Sequence, residues 1–82
     1  MAVDVDKGLT DADELEAEVR RLMLRQSREK LLVADYTKLG KTSFAVIAPL
    51  DGIDCLVTDR EPDGRWMTEL SRRKIRCMYG RK

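Results

Sequence analysis

Polar side chains that could bind a phosphate follow an apolar run near the middle of the chain. Residues 31–34 are apolar, Asp35, Thr37 and Lys38 come directly after them, and Gly40 allows a sharp turn. A lysine ammonium there suits a phosphate, and carboxylates or hydroxyls beside it suit sugar hydroxyls. In open α/β sheets, ligands bind at the carboxyl ends of strands. The same residues also fit an ordinary polar loop after a strand, and spacing alone favours that interpretation.

A second strand-end cluster consists of Thr58 and Asp59, which follow another apolar run. An enzyme would need a general base and a nucleophile, and Asp35, Asp59 and Lys38 are the only plausible candidates. The chain has no histidine, so the commonest general base and metal ligand is absent from the sequence. This incomplete set disfavours catalysis.

The cysteines and the apolar runs indicate the cellular compartment. Cys55 and Cys77 stand singly in apolar runs without a CxxC pair, so we predict buried free thiols and no metal or cofactor. Free thiols are typical of the reducing cytosol. The first ten residues are acidic rather than apolar, and no apolar run approaches the roughly 18 residues that span a bilayer. The sequence therefore predicts a cytoplasmic protein without membrane contact.

Charge is balanced overall but is distributed unevenly. Charged residues make up 38% of the chain, yet the formal net charge is only +1, which argues against a general polyanion binder. Residues 60–82 contain eight basic and three acidic residues. A basic end can contact nucleic acid, but a solvated helix end and terminus is the favoured interpretation.

Apolar spacing predicts the secondary structure. A helix is expected over 12–27 because four apolar residues recur on one face, and Thr10 or Asp11 would cap it. The apolar members of that stripe are Leu15, Val19, Leu22 and Met23. Further elements are expected as strands at 30–34, 43–48, 55–58 and 75–79, with a short helix over 66–73. Nearly uninterrupted apolar strands favour a mostly parallel sheet covered on both faces, with right-handed crossovers at the first and last helices.

Four segments in the right order resemble the C-terminal sensor domain of the DeoR/GlpR family of bacterial transcriptional repressors. Residues 3–10 resemble the family's G-V-D…G-L-T segment, and residues 16–23 resemble its E-x-x-x-K-R-x-M helix. Residues 33–40 are similar to L-A-D-x-S-K-F-G, and residues 53–59 to I-D-x-I-I-T-D. Thr37, Leu39 and Arg20 depart from the family's Ser, Phe and Lys, although Thr37 keeps the hydroxyl.

This resemblance implies a fold, a ligand and a site. The fold would be part of a three-layer αβα sandwich similar to ribose-5-phosphate isomerase, and the activity would be binding of a phosphorylated sugar without catalysis. Asp35 and Lys38, with Thr37 and Gly40 of the same motif, would lie in the effector site. The residues expected to line or support the pocket are Asp6, Glu16, Arg20 and Asp59. DNA would be bound by a linked helix-turn-helix domain.

The length of the chain sets a further expectation. Its 82 residues are expected to form one partial domain, the C-terminal half of such a sensor, without the helix-turn-helix domain. Half a sheet would leave an unpaired apolar edge, so we predict self-association, for example as a dimer that completes the sheet. Two alternatives stay open: a remnant of a sugar-phosphate isomerase with a carboxylate base, and a purely structural oligomerisation module.

Overall fold

A computed structural model describes residues 1–80, which form a mixed α/β fold, as the sequence predicted. Arg81 and Lys82, the last residues of the basic segment, lie outside the described residues. Over residues 1–80 the elements are β1 (Ala2–Asp4), β2 (Gly8–Asp11), α1 (Glu14–Gln26), β3 (Leu31–Val33), β4 (Ala45–Ala48), β5 (Cys55–Thr58), α2 (Gly64–Arg72) and β6 (Arg76–Tyr79). Short 3₁₀ turns form at Tyr36–Lys38 and Leu50–Gly52. The strands form two sheets rather than one mostly parallel sheet.

The first sheet is antiparallel and has the order β1-β2-β4. Asp4 Oδ2 accepts the N–H groups of Asp6 and Lys7 at 3.0 and 2.9 Å, which closes the turn between β1 and β2. Gly8 has a positive φ of 78°, and a Cβ at that position would lie 2.3 Å from the carbonyl oxygen of Ala48. Only glycine therefore allows β2 to approach the end of β4.

The second sheet is parallel and has the order β3-β5-β6. The last helix forms the predicted connection between parallel strands, because α2 joins β5 to β6. The first predicted crossover is wrong: β1 turns back at residues 4–7 and pairs with β2 instead of running parallel to β3. A single parallel bridge between Val3 and Leu39 links the first sheet to the segment after β3.

The first helix begins later than the capping pattern indicated. Asp13 caps α1, and its Oδ1 accepts the N–H groups of Leu15 and Glu16 at 2.8 and 3.3 Å. The prediction that Thr10 or Asp11 caps the helix is wrong, because both residues belong to β2 and are buried. The four-residue length of β2 and its polar second half explain why the sequence pattern resembled a cap.

The predicted apolar stripe of α1 is present but is not packed against the core. Ala17 is fully buried and Leu24 packs against the core, whereas the stripe residues are 49–69% exposed. The exposed stripe consists of Leu15, Val19, Leu22 and Met23. Helical periodicity identified this face correctly, but the helix rests on β2 and β4 through a different one.

The core joins both sheets and α2. Leu9, Leu50, Leu56 and Leu70 are almost fully buried in one apolar cluster that also contains Trp66. α2 enters this cluster through Trp66 and Leu70, and Asp63 caps it by accepting the N–H of Trp66 at 3.0 Å. Within residues 1–80, the helices are too short and too polar to cross a membrane.

A pair of truncations tests which apolar side chains stabilise the fold. Leu56→Ala removes a side chain with no exposed surface and should lower the free energy of unfolding by about 2–5 kcal/mol. Phe44→Ala alters a side chain that is 86% exposed and should change it by no more than about 0.5 kcal/mol. Urea unfolding followed by the fluorescence of Trp66, the one tryptophan of the chain, measures both. Equal losses for the two variants would contradict this core.

Candidate functional site

The structure brings the two predicted strand-end clusters together. β3 and β5 are parallel neighbours, so Asp35 and Asp59 follow strands that end at the same edge of the sheet. Asp59 Oδ1 accepts the backbone N–H of Tyr36 at 2.7 Å and lies 3.4 Å from the hydroxyl of Thr58. A direct hydrogen bond therefore links the end of β5 to the turn after β3.

The segment after β3 is a compact turn that Asp35 caps. Asp35 Oδ1 accepts the N–H of Thr37 at 3.0 Å, and the Asp35 carbonyl accepts the N–H of Lys38 at 2.9 Å. Gly40 ends the turn with a φ of 81° and donates its N–H to the Val3 carbonyl at 2.7 Å. Asp35 and Gly40 thus shape the turn.

Two cations flank this turn. Lys38 at its end is exposed, and its ammonium has no hydrogen-bond or ion-pair partner among residues 1–80. The guanidinium of Arg60, the residue after Asp59, lies over the ring of Tyr36, 5.1 Å from the ring centroid. Such stacking stabilises an exposed pair by roughly 0.5–1 kcal/mol and orients the planar cation. With the exposed Thr37 hydroxyl, this edge presents two positive charges and a donor to solvent.

The Asp59 carboxylate is held in its charged form. The hydrogen bond from Tyr36 N–H, helped by the positive charge of Arg60, lowers the pKa of Asp59 below its usual value and outweighs the opposing effect of desolvation. An ionised Asp59 keeps accepting the Tyr36 N–H at neutral pH. The carboxylate thereby positions the turn.

The remaining predicted site residues lie on other elements. Asp6 is in the turn between β1 and β2, and it lines a shallow cleft with Gly64, Arg65 and Glu69 of α2. Glu16 and Arg20 form the expected pair on α1, with the Arg20 Nη2 to Glu16 Oε2 distance at 3.5 Å. Within the described part of the chain, no hydrogen bond or ion pair joins these three residues to the Tyr36–Lys38 turn.

Arg20 has a stronger partner that the sequence did not indicate. Its Nε donates to Asp11 Oδ2 at 2.9 Å, and Asp11 is buried at the end of β2. Burial would raise the pKa of Asp11, but the hydrogen bonds from Asp13 N–H and Arg20 outweigh it and lower the pKa. This pair fixes α1 on the antiparallel sheet, a role that helical periodicity could not reveal.

Sequence reasoning also missed Arg60 at the candidate site. The sequence did offer a sign of this residue, because Arg60 directly follows the strand end at Thr58-Asp59. What the sequence could not show is the ring of Tyr36 beneath it. Recognising that contact requires the turn to fold back onto the end of β5.

The cysteines and carboxylates offer little for catalysis or metal binding. Cys55 is buried, and burial raises the pKa of the half-buried Cys77 thiol, which disfavours its reactive thiolate. Among residues 1–80, no three Cys, Asp or Glu residues lie close enough together to hold a metal ion. The arrangement at the sheet edge is suited chemically to binding an anion.

Comparison with known proteins yields one family match and several regulators. The model of a family described as "DeoR C terminal sensor domain" matches residues 1–60. An HTH-type transcriptional regulator GlpR of Haloferax volcanii is 37% identical over 79 residues, which are 96% of this chain and 31% of the relative.

Two further relatives are named as repressors. The HTH-type transcriptional repressor GlcR of Bacillus subtilis is 37% identical over 89% of this chain and 28% of its own length. A glycerol-3-phosphate regulon repressor of Haemophilus influenzae is 31% identical over 93% of this chain and 31% of its own. The chain therefore spans less than a third of the length of these curated relatives.

A pH titration tests the role of Asp59. The folded state lowers the pKa of Asp59. The contribution of Asp59 to the free energy of unfolding should therefore be fully present above about pH 4 and decrease as the pH drops further. Asp59→Asn removes this titrating group, so its free energy of unfolding should fall less steeply over the same interval. Urea unfolding at a series of pH values measures the slope.

A charge-matched control accompanies that titration. Glu18→Gln removes an exposed carboxylate on α1 that accepts no hydrogen bond within residues 1–80. The free energy of unfolding of this variant should therefore change with pH as steeply as that of the wild type. If Glu18→Gln flattened the titration as much as Asp59→Asn, the effect would reflect net charge, and Asp59 would lose its special role.

Proposed function

Because the chain belongs to the family of DeoR C-terminal sensor domains, we propose that it is the effector-binding segment of a cytoplasmic transcriptional regulator. The match over residues 1–60 confirms the family that four sequence motifs indicated. The relatives are named as transcriptional regulators or repressors, which supports a regulatory role without catalysis. In this proposal DNA is contacted by a helix-turn-helix domain outside these 82 residues.

The proposed effector is a phosphorylated sugar or a related metabolite. The observation that supports it is the pair of cations at the carboxyl edge of the parallel sheet: Lys38 without a partner in the described residues, and Arg60 stacked on Tyr36. Two positive charges suit a phosphate dianion, and the planar Arg60 can donate two parallel hydrogen bonds. The Thr37 hydroxyl lies on the same turn and suits a sugar hydroxyl.

Asp35 and Asp59 have positioning roles in this proposal. Each uses a carboxylate oxygen to accept a backbone N–H of the turn, which preorganises the turn before a ligand arrives. Asp6, Glu16 and Arg20 are proposed to support the pocket from neighbouring elements. The parallel sheet would be one layer of a three-layer αβα sandwich, as the resemblance implied.

Binding is favoured over an isomerase remnant because Asp35 and Asp59 each accept a backbone N–H of the turn, which gives both carboxylates a structural role. Hydrogen bonds that stabilise the charged form also make the Asp59 carboxylate a weaker base. Self-association is the second part of the proposal and stays a prediction from the sequence.

A thermal-shift screen against phosphorylated sugars tests the effector class. The panel includes glycerol 3-phosphate, prompted by the name of the Haemophilus relative. A ligand at 100 times its dissociation constant should stabilise the fold by about 2.7 kcal/mol. No shift with any compound, from a protein that melts cooperatively, would count against the proposal.

Substitution of the two cations tests the site itself. Lys38→Ala and Arg60→Ala should each weaken binding by more than about 1 kcal/mol, in the range of hydrogen bonds to charged groups. Lys41→Ala is the matched control, because Lys41 is an exposed lysine just beyond Gly40, and its affinity should equal that of the wild type. Calorimetric titration with the hit compound compares the variants, and unchanged affinity in Lys38→Ala would remove Lys38 from the site.

A further inference from the structure

The third strand of the parallel sheet ends at the same edge as the candidate site. β6 pairs in parallel with β5, and the register places Tyr79 beside Thr58 at the ends of the two strands. The N–H of Gly80 donates to the Thr58 carbonyl at 3.3 Å, and a Cβ on Gly80 would lie 3.1 Å from the carbonyl oxygen of Asp59. The end of β6 is therefore packed closely against the segment that carries Asp59 and Arg60.

The loop after β5 is held between two tyrosines, one from each flanking strand. On the β3 side, the guanidinium of Arg60 lies over the ring of Tyr36. On the β6 side, the hydroxyl of Tyr79 donates to Glu61 Oε2 at 3.1 Å. Because Arg60 and Glu61 are consecutive residues, these two contacts direct a cation and an anion from one point of the backbone to opposite sides of β5.

The carboxylate of Glu61 has room for a further hydrogen bond. Glu61 is exposed, and within residues 1–80 it forms no salt bridge. Tyr79 uses only Oε2, and an ionised carboxylate has acceptor positions on both oxygens. The next residue, Pro62, is buried and has a fixed φ, so the loop is anchored directly after Glu61. The sheet edge thus presents an oriented acceptor beside its cations.

The two halves of this edge suit different parts of one ligand. Neighbouring strands lie about 4.8 Å apart, so the ends of β3 and β6 are separated by roughly 10 Å, with β5 between them. Lys38 and Arg60 on the β3 side suit a phosphate. Glu61 on the β6 side repels a phosphate but accepts hydrogen bonds from hydroxyl groups. A free phosphate occupies one half of this width, whereas a phosphorylated sugar extends across both.

We propose that Glu61 selects the hydroxylated part of the effector by accepting hydrogen bonds from sugar hydroxyls, and that Tyr79 is the positioning residue that holds the Glu61 carboxylate for this contact. The inference rests on the proposed function, in which Lys38 and Arg60 bind the phosphate, and it assigns recognition of the sugar to the residue next to Arg60. The same carboxylate disfavours a bisphosphate, because a second phosphate would meet an exposed negative charge.

Calorimetric titration with two kinds of phosphate monoester tests this assignment. Glycerol 3-phosphate, ribose 5-phosphate and glucose 6-phosphate carry hydroxyls, whereas propyl phosphate has the same phosphate group on a bare hydrocarbon chain. At least one hydroxylated compound should bind to the wild type about tenfold more tightly than propyl phosphate, as expected for hydrogen bonds to a charged acceptor. Glu61→Gln should remove most of this preference. Its affinity for propyl phosphate should be unchanged or higher, because a repelling charge is gone.

Two further variants separate these roles from a general effect of charge or folding. Glu18→Gln is the matched control, because Glu18 is an exposed carboxylate on α1, and this variant should keep the wild-type preference. Tyr79→Phe should lower the preference by roughly two- to tenfold, since the Glu61 carboxylate must then be ordered by the ligand itself. Combined with Glu61→Gln, it should change the preference no further.

Each other outcome overturns a defined part of the proposal. If the wild type bound propyl phosphate as tightly as every hydroxylated compound, the role of Glu61 would be overturned and the phosphate site would stand. Binding of none of these compounds would overturn the phosphate site as well. Equal losses of both kinds of ligand in Glu61→Gln would overturn selection by this carboxylate, and a further loss from Tyr79→Phe in that background would overturn the positioning role.

Discussion

The candidate site depends on the hydrogen bond from Tyr36 N–H to the carboxylate of Asp59. This bond joins the turn after β3 to the end of β5, and it does so across the C-terminal edge of the sheet. The Asp35 cap and the Gly40 N–H to Val3 bond fix the rest of the turn. With the backbone held at these points, the ring of Tyr36 lies under Arg60 and Lys38 stays exposed.

In this arrangement the carboxylates of the site hold the turn in place, whereas its cations remain accessible to a ligand. The carboxylates of Asp35 and Asp59 are directed at backbone N–H groups of the turn, so part of their negative charge is offset by the peptide dipoles. Within the described part of the chain, neither Lys38 nor Arg60 forms a salt bridge with a carboxylate. A site that binds an anion needs this division, because a salt bridge to Asp59 would have to break before a phosphate could bind.

Much of the secondary structure could be predicted because the apolar runs are short and sharply bounded. The strand at 55–58 follows directly from the pattern, and the helix predicted over 12–27 contains the observed α1 with its ends placed one or two residues too far out. β2 could not be predicted, since Thr10 and Asp11 resemble a helix cap and their burial depends on pairing with the distant β4. The exposure of the α1 stripe could not be predicted for a related reason: periodicity shows which residues share a face, but not what covers it.

The turn that carries the candidate site continues β3, yet its geometry does not depend on the exposed side chains of that strand. Side chains alternate along a strand, so Leu31 and Val33 are exposed while Leu32 enters the core. The turn that follows is fixed by Asp59 from the neighbouring strand. A substitution at Val33 therefore leaves in place the hydrogen bond that positions Lys38. The geometry of the turn depends instead on the pairing of β3 with β5, which aligns the ends of the two strands at one edge of the sheet.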